Sequence, residues 1–293
     1  MSELNFKVDE QKCIHCGLCV QDCITSVLEY NANGTPEVKR EKNCIGCQHC
    51  LSVCPVGAIS IYDKNPEESQ KVFNQNPDMV LNLIQSRRSI RKYKQENVSK
   101  ETLQKLKDML KWVPTGCNYH RLHFAFIEDI EIMNKFKNHV NEKVLNALTK
   151  TPVKAVSDKF GAFTQSFING EDVIFRGAPH MVIVSNSIKA PCLPEDPIIA
   201  LSYLELYAHS LGLGTCWCGL GQMCMQLFPE LEKYIELPEG YRSEYVMLFG
   251  NKDINYPRTT QPENCIITEV QNKDFEEISV LNKAKHLFKN FIR

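Results

Sequence analysis

After residue 76 the polar and apolar residues alternate in two distinct rhythms. In SKETLQKLKDMLKWV, Leu103, Leu106, Leu110 and Val113 recur at helical spacing, and Ser99 stands where an N-cap belongs. PDMVLNLIQSRRS opens on a Pro-Asp helix start. EIMNKFKNHVNEKVLNALTK repeats Ile132, Phe136, Val140, Val144 and Leu148 every four residues, which predicts an amphipathic helix. LHFAFIED reads as a strand, and HMVIVSN and EYVMLFGN read as buried strands. DPIIALSYLELYAHSLGLG is a largely apolar helix ended by Gly212 and Gly214. Helices and strands joined by connections of uneven length predict an α+β domain around a mixed sheet.

The first 62 residues follow another plan. CIHCGLCVQDC and CIGCQHCLSVC share the spacing C-x2-C-x2-C-x3-C, and each leads through a short helix to a strand-like stretch, VLEY or AISIY. NANGTPEVKR between them has Asn-Gly turn character. This spacing is the bacterial ferredoxin run for [4Fe–4S] clusters, in which the fourth cysteine ligates the other cube. It assigns Cys13, Cys16, Cys19 and Cys54 to one cluster, and Cys44, Cys47, Cys50 and Cys23 to the other. Zinc sites of four cysteines usually lack a third cysteine so close, and disulfide frameworks belong to oxidising compartments. Pro55 follows the second run, whereas Ile24 follows the first.

DKNPEESQKVFNQNP is polar and proline-bounded, so the expected organisation is a ferredoxin domain at 1–62, a linker at 63–76 and a second domain at 77–293. The chain has 293 residues, a net charge of −1 and 14 cysteines. No global field favours nucleic acid, and no apolar run approaches a membrane span, so neither partner is expected. MSELNFKVDEQK is short and polar, unlike a signal peptide, and a cytoplasmic location is expected. Cys117, Cys192, Cys216, Cys218, Cys224 and Cys265 show no repeated spacing, and most of them read by default as small buried hydrophobes.

SRRSIRKYK is a short basic cluster, read either as a solvated helix end or as an anion site built on Arg87, Arg88 and Ser89. PTGCNYH reads as a turn between a helix and a strand. GLGTCWCGLG fails the dinucleotide fingerprint because Trp217 replaces its third glycine and a helix precedes it. Its glycines suggest close approach of backbone to a flat ligand.

Taken in order, RRSIRKY, PTGCN, GAPHMVIV, the DPIIALSYLELYAHSLGLGTCWCG stretch and FGNKDINYPR resemble the flavin-dependent nitroreductases over residues 77 to 270. With the cysteine runs, the whole chain looks like a ferredoxin–nitroreductase fusion. The resemblance implies a homodimer with FMN at the subunit interface. It implies that Arg87, Arg88 and Ser89 hold the FMN phosphate and ribityl chain, with Arg91 by the pyrimidine edge. Thr115 and Asn118 would come from the partner subunit, Cys218 and Gly219 would offer a backbone N–H to flavin N5, and Arg258 would bind phosphate. Two places before that arginine, Tyr256 replaces a basic residue of many relatives, which shifts the phosphate grip toward the first cluster. Tyr119, His120 and Arg121 follow Asn118 where relatives often have Ser-Gln-Pro-Trp.

The clusters would then be a wire that loads FMN from an external donor, either a ferredoxin-like carrier or NAD(P)H. No acid–base triad is expected, and His120, His123, His180 and His209 are assigned no catalytic role. Three functions stay open: reduction of a nitro compound, quinone or other electron-poor small molecule; a specialised dehalogenase-like or ring-reducing activity; and electron transfer or redox sensing without a dedicated substrate.

Overall fold

In this computed structural model the described residues are 3–72, 74–150, 165–167 and 169–270. Parts of the expected second domain, residues 151–164 and 271–293, lie outside them. Met1–Pro257 form one compact unit and Arg258–Arg293 a second.

The cysteine repeat folds into two matching halves. Helix α1 (Leu18–Gln21) lies within the first run and strand β2 (Leu28–Tyr30) follows it, while α2 (His49–Val53) lies within the second run and β4 (Ile59–Ser60) follows it. Strand β1 (Lys7–Val8) pairs antiparallel with β4, and β2 with β3 (Pro36–Val38). The β2–β3 turn forms because the Asn31 side-chain oxygen accepts from the N–H groups of Asn33 and Thr35, both at 2.9 Å, while Gly34 takes φ 75°. Leu28, Leu51, Ile59 and Ile61 make a small core between the halves.

Helix α3 (Pro77–Ser86) starts with Asn76 accepting from the N–H groups of Asp78 and Met79. Helix α4 (Lys100–Met109) is capped by Ser99, whose hydroxyl accepts from Thr102 N at 3.2 Å. All four apolar positions expected along that stretch are buried, although the last two follow the helix, on and after a 3-10 turn at Leu110–Trp112. Helix α5 (Ile130–Lys150) buries Met133, Phe136 and Val140, whereas Ile132 is 56% exposed. A strict spacing of four drifts around a helix of 3.6 residues per turn, so the expected stripe loses its first member.

A four-stranded sheet runs in the order β5 (His123–Ile127), β6 (His180–Ser187), β8 (Tyr241–Asn251), β7 (Leu213–Trp217). Its named strands all pair antiparallel, and one isolated parallel bridge outside them joins Ser89 to Thr215. Both faces of β6 are buried, which is why its MVIV centre is an unbroken apolar run. One face packs Met181, Ile183 and Leu248 with α5 residues; the other packs Val182, Met247 and Phe249 with α4 and with α6 (Glu195–Ser210).

Strand β7 corrects the reading of GLGTCWCGLG as glycines cleared for a flat ligand. Gly212 follows α6 at φ 83°, a helix-ending conformation. Gly214 lies within β7, where a Cβ would meet the Ile90 side chain at 2.7 Å. The missing side chain there admits Ile90, not a cofactor.

Candidate functional site

The two cysteine runs enclose two cavities. Cys13, Cys16, Cys19 and Cys54 line one, and Cys23, Cys44, Cys47 and Cys50 line the other. Each cavity thus takes three sulfurs from one run and its fourth from the other. Among the described residues, no three His, Cys, Asp or Glu side chains gather tightly enough for a single metal ion. Four sulfurs spread around a small void fit a cube with one thiolate per iron.

The sulfurs also receive hydrogen bonds at matching places. Val27 N donates to Cys23 Sγ at 3.3 Å, and Ala58 N to Cys54 Sγ at 3.2 Å. Tyr62 Oη donates to Cys44 Sγ at 3.4 Å. Such bonds delocalise thiolate charge and tune a cluster's potential. In the metal-free chain burial pushes the Cys50 thiol up to about 12, so binding iron there releases a proton. Burial also raises Cys23, but the N–H groups of Leu28 and Val27, with Thr25, hold it below its ordinary value.

In the second domain, the basic segment leaves α3 and runs beside β7. Ile90 N donates to Thr215 O at 2.8 Å, which fixes the neighbouring arginines against the strand. Arg87 Nη1 lies 3.2 Å from Glu205 Oε1, on the otherwise apolar α6. Glu205 also accepts from Trp217 Nε1 at 3.0 Å and Thr215 Oγ1 at 3.4 Å. Arg88 Nη1 donates to Arg87 O at 2.5 Å, and exposed Arg91 donates to Ser89 O at 3.4 Å. Burial raises the Cys216 thiol, and the Arg91 guanidinium beside it counteracts this.

Strand β7 leads directly into α7 (Gly219–Leu227). Cys218 N donates to Val246 O at 2.9 Å, so that N–H is committed to the sheet. Its thiol accepts from Gly221 N at 3.3 Å as the N-cap of α7 and donates to Ile174 O at 3.2 Å. Burial pushes this thiol up to about 12, which keeps it neutral and unreactive near pH 7. Gly219 is exposed at the first turn of α7, and among the described residues its N–H has no recorded partner. Guanidinium groups, a hydroxyl and a helix N-terminus along strand β7 form a donor set suited to a phosphorylated ligand.

Thr115 and Asn118 belong to a separate loop. His120 N donates to Thr115 Oγ1 at 2.9 Å, and Gly116 N to Asp196 Oδ1 at 2.8 Å. Cys117, Asn118 and His120 all have positive φ, an uncommon concentration outside glycine. Asn118 Oδ1 lies 2.8 Å from His120 Nε2, and its Nδ2 donates to Ile45 O at 3.0 Å, between Cys44 and Cys47. A residue expected at the flavin therefore touches a cysteine loop. Arg258 is exposed at the start of the second compact unit.

Sequence reasoning missed Glu205 and Asp196. Both are acidic residues buried on an apolar helix, at 6% and 2% exposure, which itself signals an obligatory partner. Among the described residues no helix is long and apolar enough to cross a membrane.

The nitroreductase family model matches residues 84–251, and a 4Fe-4S dicluster domain model matches residues 6–61. The chain belongs to the nitroreductase family. This nitroreductase-family chain also carries an N-terminal 4Fe-4S dicluster domain, so the fusion seen in the sequence stands. It is 23% identical over 192 residues to an iodotyrosine deiodinase from Thermotoga neapolitana, covering 64% of this chain and 96% of that protein. It is also 29% identical over 75 residues to an archaeal-type glutamate synthase (NADPH) from Dehalococcoides mccartyi, which is 26% of this chain and 15% of that protein. The chain thus spans under a sixth of that relative's length. A Bacteroides fragilis nitroreductase, solved with bound FMN, aligns with TM-score 0.52 and 25% identity, covering 67% of this chain and all of that one.

Proposed function

We propose that this protein is an iron–sulfur flavoenzyme that draws electrons from a low-potential donor through two [4Fe–4S] clusters to FMN. Its substrate is a nitro compound, quinone or other electron-poor small molecule. Bound FMN supplies the conversion between one-electron and two-electron chemistry. The protein supplies the positioning. Arg87, Arg88 and Ser89 hold the phosphate and ribityl chain, and Arg91 faces the pyrimidine edge. Gly219 offers the N–H for N5, since that of Cys218 is already bonded.

Thr115 and Asn118 reach the flavin from the partner subunit of a homodimer. The apolar residues Met79, Val80, Leu81 and Ile84 of α3, each 46–71% exposed, support an association of this kind. The observation that carries the reading is the bond from Asn118 to Ile45: the residue expected at the flavin grips a cluster loop. Protein purified without oxygen should contain iron, sulfide and FMN, bleach with a low-potential reductant, and recover colour on adding a nitroaromatic. Bleaching without reoxidation by any member of a nitroaromatic and quinone panel would leave it an electron carrier.

The likeness to an iodotyrosine deiodinase over 96% of that protein favours a second reading, reductive dehalogenation. There two electrons and one proton replace a carbon–halogen bond by carbon–hydrogen and release halide. Halide release from an iodophenol in the same panel distinguishes it.

A further inference from the structure

The cysteine runs repeat each other in sequence, but the structure places their loops in different surroundings. In the first loop Ile14, His15 and Cys16 are exposed, Ile14 at 59%. The equivalent residues of the second loop, Ile45, Gly46 and Cys47, are all half-buried. Tyr62 and loop 115–120 both lie against the second loop. Asn118 Nδ2 donates to Ile45 O, and a Cβ on Gly46 would lie 3.9 Å from the same nitrogen.

Gly46 and His15 occupy equivalent left-handed positions, at φ 67° and 53°. A Cβ on Gly46 would rest in ordinary contact with Tyr62, 3.7 Å from its ring. On the other side of the contact, Cys117, Asn118 and His120 are held at φ 43–54°. Left-handed backbone outside glycine persists where surrounding structure enforces it, often at functional sites. The left-handed residues of the loop and the Asn118–Ile45 bond mark the same contact.

We infer that the two clusters are not interchangeable. The cluster held by Cys23, Cys44, Cys47 and Cys50 is the inner one, which hands single electrons to the flavin across loop 115–120. The cluster held by Cys13, Cys16, Cys19 and Cys54 is the outer one, which receives each electron from the external donor. Each transfer oxidises the donor by one electron, and two passages, with protons taken up from water, would reduce one FMN. This rests on the reading of the clusters as the flavin's supply and adds their order.

The test uses the full-length holoprotein and a reduced bacterial two-cluster ferredoxin as donor. Rapid freeze-quench paramagnetic resonance follows cluster reduction, and absorbance follows flavin bleaching. In Cys47→Ser the surviving outer cluster should fill at the wild-type rate, while bleaching slows by roughly a hundredfold or more as the tethered route is lost. In Cys16→Ser both the surviving cluster and the flavin should fill slowly. The reverse pattern, fast filling of the surviving cluster in Cys16→Ser with a stalled flavin, overturns the order. Wild-type bleaching in both variants instead overturns the wire on which the order depends. Hydrogen exchange of wild-type holoprotein gives a readout without substitution: backbone amides of 44–48 should be more protected than those of 13–17, and equal protection overturns the inference.

Discussion

Arg87 and Glu205 stand 3.2 Å apart in an ion pair whose carboxylate side chain keeps only 9% of its exposure. Trp217 and Thr215 donate to the same carboxylate, so the arginine is held by a fixed acceptor on α6. The pair holds one edge of the guanidinium, which orients it for an anion on another edge.

Replacing Arg87 with alanine should weaken FMN binding by about 1.5–3 kcal/mol, the loss of a charge-assisted hydrogen bond. That is roughly a ten- to hundredfold rise in Kd. Riboflavin, without the phosphate, should lose little, and titration of the flavin-free protein with both ligands makes the comparison. Equal losses would return Arg87 to a purely structural role. Thermal stability should also fall because Glu205 is left unpaired. The drop should be smaller than the roughly 3–5 kcal/mol seen for fully buried pairs, since the Arg87 side chain is 32% exposed.

The crossed cavities make an analytical prediction. Wild-type protein should hold about eight irons and eight sulfides per chain. Cys23→Ser should disturb the cluster of the second run, although Cys23 lies in the first, and Cys54→Ser the reverse. Iron analysis with resonance spectra of each variant checks it. Loss of the cluster nearest in sequence would mean that the runs do not exchange their fourth ligand.

What was legible in the sequence followed physical strength. Cysteine spacing fixes which sulfurs meet, because a cube leaves little geometric freedom. The Ser99 cap and the leucines of α4 were legible because capping and burial are local. Strand β7 was hidden because it is short, glycine-containing and bounded by the ends of two helices. Its pairing depends on β8, far along the chain. Gly214 looked like a ligand-facing glycine, and only the position of Ile90 explains it. The contact of Asn118 with Ile45 was hidden for a similar reason, since it joins segments 73 residues apart. The polar stretch 63–76 reads as a linker, and the residues on both sides of it belong to one compact unit through Pro257.

His180 gives a pH prediction. Its ring is fully buried, stacks on Phe249 at 5.3 Å, and accepts at Nε2 from Val98 N at 3.0 Å. Burial lowers its pKa, so the native state keeps it neutral where the unfolded chain is protonated. The unfolded state then binds more protons, and stability rises with pH. The contribution is complete above the unfolded value of about 6.5 and is lost as pH falls toward the lower native value. Urea midpoints should therefore drop between about pH 7.5 and 5.5 more steeply in wild type than in His180→Phe. Parallel slopes would assign the acid sensitivity to other groups, whatever the variant's absolute stability.

The last prediction concerns why clusters and flavin share one chain. Tethering replaces diffusional encounter by a high effective concentration, provided that the linked parts can meet. Here they do meet, through the Asn118–Ile45 bond. A chain beginning at Asn76 keeps the N-cap of α3, the arginine segment and the whole four-stranded sheet. It should bind FMN and dimerise, and its chemically reduced flavin should still reduce a nitroaromatic. Its flavin should bleach far more slowly with a one-electron protein donor, by roughly 10²–10⁴-fold if effective concentration is the main gain. Loss of the ferredoxin part also frees the Asn118 amide, so exchange of backbone amides in 115–120 should accelerate. Equal donor-driven rates in the truncated and full-length proteins would show that electrons do not pass through the clusters. Direct reduction by a nicotinamide would then be the better account, leaving the cysteine domain as a structural cover for the 115–120 loop.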